Sequence, residues 1–340
     1  MKKKIMIFSV MAFMFLIFGI NSIAQDKTIG TITYFAGKGS VLRSGNGANE
    51  VIDLDMLIYN DDVITTEEES KAEITITETG TIITIFENSK MSLSDILNAS
   101  EQKTTFINMV FGKIKMAVAK LAGQEEFIVN TPTGVASVRG TEFEVAISDV
   151  GDSLISVKEG SVEVIAEDEK SSIMATQGKN IVVELDALPQ DYTGEETVDE
   201  WLKNQNSMFT KIGLIKLKKL FVRLSIFGKN LSLIEKNLNE IYNNKTFQNI
   251  LEKKKKGKTI TPKEEGYWSA FRKRLLSLNT ITYKMLNKMV ITVDLISRIA
   301  QKLSLDDEEI RKIYNEGKKF KIGVDRVLKK LYILNQILAY

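Results

Sequence analysis

The chain has 340 residues, with 46 Lys+Arg against 44 Asp+Glu and a formal net charge of +2. It contains no Cys and no His, which excludes disulfides, thiol nucleophiles, imidazole bases and His/Cys metal sites. The near-neutral total hides a split: residues 25–197 carry 13 Lys+Arg and 30 Asp+Glu, a net of −17, whereas residues 198–340 carry 30 and 14, a net of +16. Such an asymmetry separates two regions of different chemistry.

Residues 1–24 read as a targeting segment. Lys2-Lys3-Lys4 is a basic start, Ile5 to Ile20 an apolar run, and Ser22-Ile23-Ala24 a small-x-small cleavage site before Gln25. This predicts export, with the cut protein periplasmic or extracellular. An uncleaved membrane anchor is the alternative. The best later apolar window, Met289 to Val293, runs straight into Asp294 and is too short to span a bilayer.

Residues 25–188 read as a β-domain. Thr28 to Phe35 alternates around Ile29, Ile32 and Tyr34, and Gly45-Asn46-Gly47 is a tight-turn signal. Val63-Ile64-Thr65-Thr66 follows Asn60-Asp61-Asp62, where Asn60 is the residue expected to take a left-handed backbone. Ala72-Ile74-Ile76 alternates with polar neighbours, turns at Glu78-Thr79-Gly80 and returns through Ile82, Ile83 and Ile85. Ser94 to Ser100 reads as a helical turn, and Phe111-Gly112-Lys113 as a hairpin turn. Strands of this regularity predict an antiparallel sandwich or roll.

Phe127 to Val164 is the most informative stretch. Thr131-Pro132-Thr133-Gly134 is a turn with Pro and Gly where each is favoured. Arg139-Gly140 interrupts the next strand, with Gly140 marking a bulge or close backbone approach. Glu159-Gly160 then divides Ile155/Val157 from Val162/Val164 as a second hairpin. These residues resemble the FecR domain: Thr131-Pro132, Val138-Arg139-Gly140-Thr141-Glu142-Phe143 and Glu159-Gly160 follow its pattern. The resemblance covers the whole β-region. It implies a regulator whose β-domain follows a cytoplasmic sigma-factor-binding segment and a membrane helix. Only three lysines precede the apolar run here, so the expectation is an exported relative without that segment. For Arg139 two roles stand open: an ion pair with Glu142 or Glu144, or an exposed fork that grips a carboxylate or phosphate.

After Leu188-Pro189 the apolar period changes from two to 3.6, with residues 189–197 as a linker. Thr197-x-x-Glu200 and Thr261-Pro262-x-Glu264 are capping boxes. Four helices are predicted, over 198–226, 229–255, 262–303 and 305–338, with Gly228 as the first break. They predict a basic all-α bundle over residues 198–340 following the FecR-like β-domain.

Lys253, Lys254, Lys255, Lys256 and Lys258, with Arg272, Lys273 and Arg274, form the densest cation run and are the candidate contacts to an anionic surface. The acidic runs Glu67-Glu68-Glu69 and Glu167-Asp168-Glu169 lack calcium-loop spacing. No cofactor or metal is implied. The reading is a non-enzymatic exported envelope protein whose partner is an envelope protein or a polyanion: peptidoglycan, anionic lipid or wall polymer. Export argues against nucleic acid. The opposite charges also allow the basic bundle to dock on the acidic β-domain. The alternatives are a FecR-type transmembrane regulator of metal uptake and, more distantly, a glycan-acting enzyme using paired carboxylates.

Overall fold

The computed structural model describes residues 28–44, 46–97, 103–118, 126–167 and 169–337. The targeting segment and its cleavage site lie outside the described residues. Among those described, no helix is long and apolar enough to cross a membrane.

The β-region runs β1 (Thr28–Ala36), β2 (Gly39–Leu42), β3 (Asn49–Val51), β4 (Leu57–Tyr59), β5 (Val63–Thr66), β6 (Lys71–Ile76), β7 (Ile82–Ile85), β8 (Ser89–Leu97) and β9 (Lys103–Ala117). It continues with β10 (Glu126–Asn130), β11 (Gly134–Val138), β12 (Glu142–Ile147), β13 (Ser153–Glu159), β14 (Ser161–Ala166), β15 (Ser172–Thr176), β16 (Asn180–Val183) and β17 (Gln190–Asp191). One sheet has the order β4-β1-β6-β7-β9-β12-β13-β16-β17. The other has the order β3-β2-β5-β8-β9-β10-β11-β14-β15. Every pairing is antiparallel except β9–β10. Strand β9 belongs to both sheets, its first half pairing β8 and β10 and its second half β7 and β12. The chain therefore rolls from sheet to sheet, and its apolar inward faces close one core around Ile32, Ile74, Ile107, Phe143 and Val162.

Crossing between sheets needs a sharp reversal of backbone direction, and left-handed residues stand at the corners: Asp55, Asp61, Glu69, Asn88, Gly140, Gly160 and Gly178 all have positive φ. This corrects four expectations. Phe111-Gly112-Lys113 is not a hairpin turn: Gly112, at φ +97, is where β9 changes sheet. Glu159-Gly160 joins strands of different sheets rather than a hairpin pair. The left-handed residue at the β4–β5 corner is Asp61, not Asn60. Ser94 to Leu97 continues β8, paired with Phe106 to Lys103, instead of forming a helical turn; residues 98–100 lie outside the described set.

The helical region comprises α1 (Val198–Ser207), α2 (Phe209–Tyr242), α3 (Lys245–Lys255), α4 (Pro262–Leu303) and α5 (Glu308–Ile337). Both capping boxes form as expected, Thr197 with Glu200 and Thr261 with Glu264. The expected break at Gly228 does not occur. A mid-helix glycine costs about 1 kcal/mol, less than what Leu224 and Leu231 gain by burial on either side of it. The breaks fall instead at Met208 and at Asn243-Asn244, where the Asn244 side chain caps α3 by accepting from Phe247 N at 3.0 Å.

Helices α2 and α4 cover the outer face of the second sheet, with α3 and α5 packed on them, whereas α1 sets Val198 and Trp201 against Ala146 and Leu154 of β12 and β13 in the first sheet. Phe106, Ile128, Val135 and Ile96 point away from the sandwich core and pack with Leu231, Tyr283, Leu286 and Met289. A second cluster joins Val110, Phe111, Val150 and Leu185 to Leu217, Leu220, Val293 and Ile296. Burying the four outward side chains of the first cluster is worth on the order of 6–10 kcal/mol before entropy costs.

Candidate functional site

The family-motif residues divide between two ends of the sandwich. At one end the β10–β11 turn is built by Thr131, whose Oγ1 accepts from Thr133 N at 3.3 Å and Gly134 N at 3.0 Å. The Thr133 hydroxyl meets that of Ser153 at 2.7 Å. This turn lies under the helices. Arg223 of α2 donates from Nη1 to the Pro132 carbonyl at 3.0 Å and from Nη2 to Asp186 at 2.9 Å, and its Nη2 is 2.5 Å from Glu167. Burial pushes the Glu167 carboxyl above the usual carboxylate range even beside Arg223. Burial also works against charge on Asp186, but Arg223 and Lys219 outweigh it and hold that carboxyl low. The two carboxylates differ because the Glu167 side chain is 27% exposed and Asp186 is 50% exposed.

Further along the same seam, Asp149 holds Arg298 at 2.6 Å and also Lys302, while Asp152 holds Lys216 at 2.7 Å. In the reverse sense Lys90 and Lys113 of the sheets meet Asp294 and Asp199 of the helices. The Asp149, Asp152 and Asp294 side chains are buried, so removing the cation that answers any of them would be costly. The pairing of these seam side chains is not legible in the sequence. Arg223 itself could have been singled out: it lies three residues after Leu220, on the core face of an amphipathic helix, where an unpaired cation would be costly.

At the other end the corner holds Val138, Arg139, Gly140, Thr141, Phe143, Glu159 and Gly160. Val138 and Phe143 are core residues. Thr141 Oγ1 lies 3.0 Å from Arg139 O and 2.9 Å from Ser161 O, tying the two crossings together. A Cβ on Gly160 would stand 2.9 Å from Thr141 Oγ1 and 3.2 Å from Gly140 O at φ +86, so only glycine fits there. Arg139 is exposed, and the Glu142 carboxylate is taken at 2.6 Å by Lys115. The motif is a device for turning corners.

The α3–α4 cation run is largely answered by acids. Lys253 meets Glu264 at 2.5 Å, Lys256 meets Glu252 at 2.5 Å, Lys254 lies 3.9 Å from Glu265 and Arg274 lies 3.5 Å from Glu240. Lys255, Lys258 and Lys273 are exposed, and Arg272 is half-buried. The run is thus less cationic in space than in sequence.

A third feature is the rim formed by β2, β3 and β4. Arg43 braces it, with Nε donating to Glu50 at 2.8 Å, and Nη1 to Leu57 O at 2.8 Å and Asp62 at 2.6 Å. On this braced frame Val51 is 76% and Leu54 56% exposed, with Leu42 and Leu57 beside them. Among the described residues β3 pairs only with β2, leaving its other edge open.

Residues 62–163 match the model of the FecR protein family. No curated protein matches the chain. Two crystal structures of a candidate anti-sigma factor from Parabacteroides distasonis ATCC 8503 are similar to part of it. The first, at 1.65 Å resolution, is 20% identical over 41% of this chain and 64% of that one, with a TM-score of 0.33. The second, at 2.50 Å, is 19% identical over 38% and 58%, with a TM-score of 0.32. The chain spans less than two thirds of those proteins. The matched span holds both ends of the motif described above, and the similarity to the FecR family is established over residues 62–163.

Proposed function

We propose that the chain is a non-enzymatic, exported binding protein of the cell envelope that takes a partner protein on the β2–β4 rim of its β-region. The observation that carries this reading is the rim itself, where Val51 and Leu54 stand exposed on a frame braced by Arg43, Glu50 and Asp62. An open strand edge with apolar neighbours accepts an extended segment of another chain through main-chain hydrogen bonds. Export rests on Lys2-Lys3-Lys4 and the apolar run that follows. The FecR match also supports a regulator at the level of the family, in which the same binding step would feed a signal.

The test uses the chain beginning at Gln25 with a photo-crosslinking residue at position 54, exposed to envelope extract. A discrete crosslinked protein, displaced by unlabelled wild-type chain and not by Val51→Glu chain, supports the reading. Crosslinking that Val51→Glu competes away as well as wild type does, or retention of wall polymer alone, overturns it.

A further inference from the structure

The outward side of α2 carries two parallel rows. Ile215, Val222, Ile226 and Leu233 follow an i, i+7, i+11, i+18 spacing, which returns to one side of a 3.6-residue helix. All four are more than half exposed, at 58%, 63%, 58% and 58%. Beside them Lys211, Lys218, Lys229 and Lys236 run at i, i+7, i+18, i+25, also exposed. The inward side of the same helix is filled by Leu217, Leu220, Leu224, Leu231 and Leu238. Burial within the fold therefore does not account for the outward aliphatics.

Helix α5 lies alongside α2. Lys218 meets Glu309 at 2.9 Å, Arg326 meets Glu235 at 3.2 Å, and Lys330 donates to Asn239 at 2.5 Å. The partners advance together along both helices, so the two run parallel. Helix α5 adds Ile322, 69% exposed, with Lys318 and Lys329 exposed near it. The carboxylates near this side are mostly answered: Glu309 by Lys218, Glu316 by Lys319 at 2.7 Å, Glu240 by Arg274 at 3.5 Å, and Asp186, beside Val222 and Ile226, by Arg223 and Lys219, while Asp325 is exposed.

We propose that this two-helix face is a peripheral membrane-binding surface for an anionic phospholipid leaflet. Aliphatic side chains at this spacing enter the acyl boundary, while flanking lysines extend to the lipid phosphates. The charge argues against a second copy as the occupant. An antiparallel two-fold pair would match Ile215 with Leu233 and Val222 with Ile226, but it would also set Lys211 against Lys236 and Lys218 against Lys229. A protein partner is disfavoured by composition, since lysine is depleted at protein interfaces and the exposed residues of α2 between Ile215 and Leu233 include no Trp, Tyr or Arg. The proposal does not rest on the rim reading, because the rim is on the β-region and uses none of these residues.

The test is sedimentation of the chain beginning at Gln25, which keeps every described residue and removes the apolar run Ile5 to Ile20 as a second cause of binding. Vesicles are phosphatidylcholine alone, or phosphatidylcholine with about one third phosphatidylglycerol. The expected result is binding at least about tenfold stronger to the anionic vesicles, released by high salt. The doubly substituted Val222→Asp/Ile226→Asp chain and the Lys229→Glu/Lys236→Glu chain should each lose about tenfold. Both substituted pairs are exposed, and an unchanged thermal midpoint confirms that they fold. Lys255→Glu/Lys258→Glu/Lys273→Glu should bind as wild type does. Equal affinity for both vesicles, loss of binding only in the Lys255/Lys258/Lys273 variant, or a dimer that the Val222/Ile226 pair dissociates would overturn the proposal. The crosslinking result at position 54 is independent of each of these outcomes.

Discussion

Lys90 of β8 and Asp294 of α4 are 2.6 Å apart across the seam between sheet and helix, and Lys321 approaches the same carboxylate at 2.7 Å. Burial alone would raise the Asp294 carboxyl, but Lys90 and Lys321 outweigh it and hold it below its ordinary 3.8. A depressed acid stabilises the fold fully above its unfolded value and loses that contribution as pH falls through the lower, folded value. Acid should therefore loosen the helices from the sheet only below about pH 4. Fluorescence of Trp201 and Trp268, both in the helical region, reports this transition. Asp294→Asn leaves two cations facing a neutral amide and should cost about 2–3 kcal/mol at neutral pH. A variant as stable as wild type would show that the pair is dispensable.

Asp61 behaves in the opposite sense. Burial pushes its carboxyl above the usual 3.8, although Ser94 at 2.5 Å and the Tyr283 hydroxyl both donate to it. Stability contributed by a raised acid falls as pH rises from its unfolded value through its folded one. Asp61→Asn keeps an acceptor for both hydroxyls and suits the φ of +63. The variant should match or exceed wild type at neutral pH and lose that downward limb. Urea melts across the acid range check both points, and a clear loss at neutral pH would contradict them.

Gly112→Ala and Gly47→Ala separate backbone strain from crowding. Both glycines have positive φ, +97 and +70. An added Cβ at Gly112 would stand 2.4 Å from Ser89 Cα, whereas at Gly47 it meets nothing within 4 Å. Gly47→Ala should cost about 1 kcal/mol and Gly112→Ala more than about 3 kcal/mol. Equal thermal midpoints would remove Gly112 as the point where β9 changes sheets.

Arg223→Met keeps most of the buried stem while removing three charge-assisted contacts. Glu167 and the Pro132 carbonyl lose their donor, and the expected cost is about 3 kcal/mol. Arg223→Lys should recover only part of it, because one ammonium cannot span Pro132, Asp186 and Glu167 together. Chemical denaturation of the three chains decides the order.

Most of the architecture was legible because its signals are local. Alternation at Ala72-Ile74-Ile76, the hairpin at Gly80 and the caps at Thr197 and Thr261 each depend on a few neighbouring residues. What escaped was set at a distance. Nothing near Gly112 or Gly160 says that the next strand belongs to the other sheet, since a hairpin and a corner use the same left-handed glycine. One signal of it is local. Phe106 to Phe111 is apolar on both parities apart from Asn108, which marks a strand covered on both faces. The pairing of the cation run at Lys253 was hidden for a related reason, because its answering acids Glu264 and Glu265 arrive from the next helix.

Strand β9 is the middle of both sheets, so neither sheet can shift in register without dragging the other through Gly112. It also carries Phe106, Val110 and Phe111 into the helical clusters. The rim connects to this one strand through β5 and β8 in one sheet and through β1, β6 and β7 in the other, and its Asp61 corner also meets Tyr283 of α4 directly. Amide exchange should accordingly show β9 as the slowest segment, opening only when the whole body opens. A load taken up on one side of such a molecule is felt on the other side as displacement, not as local fraying.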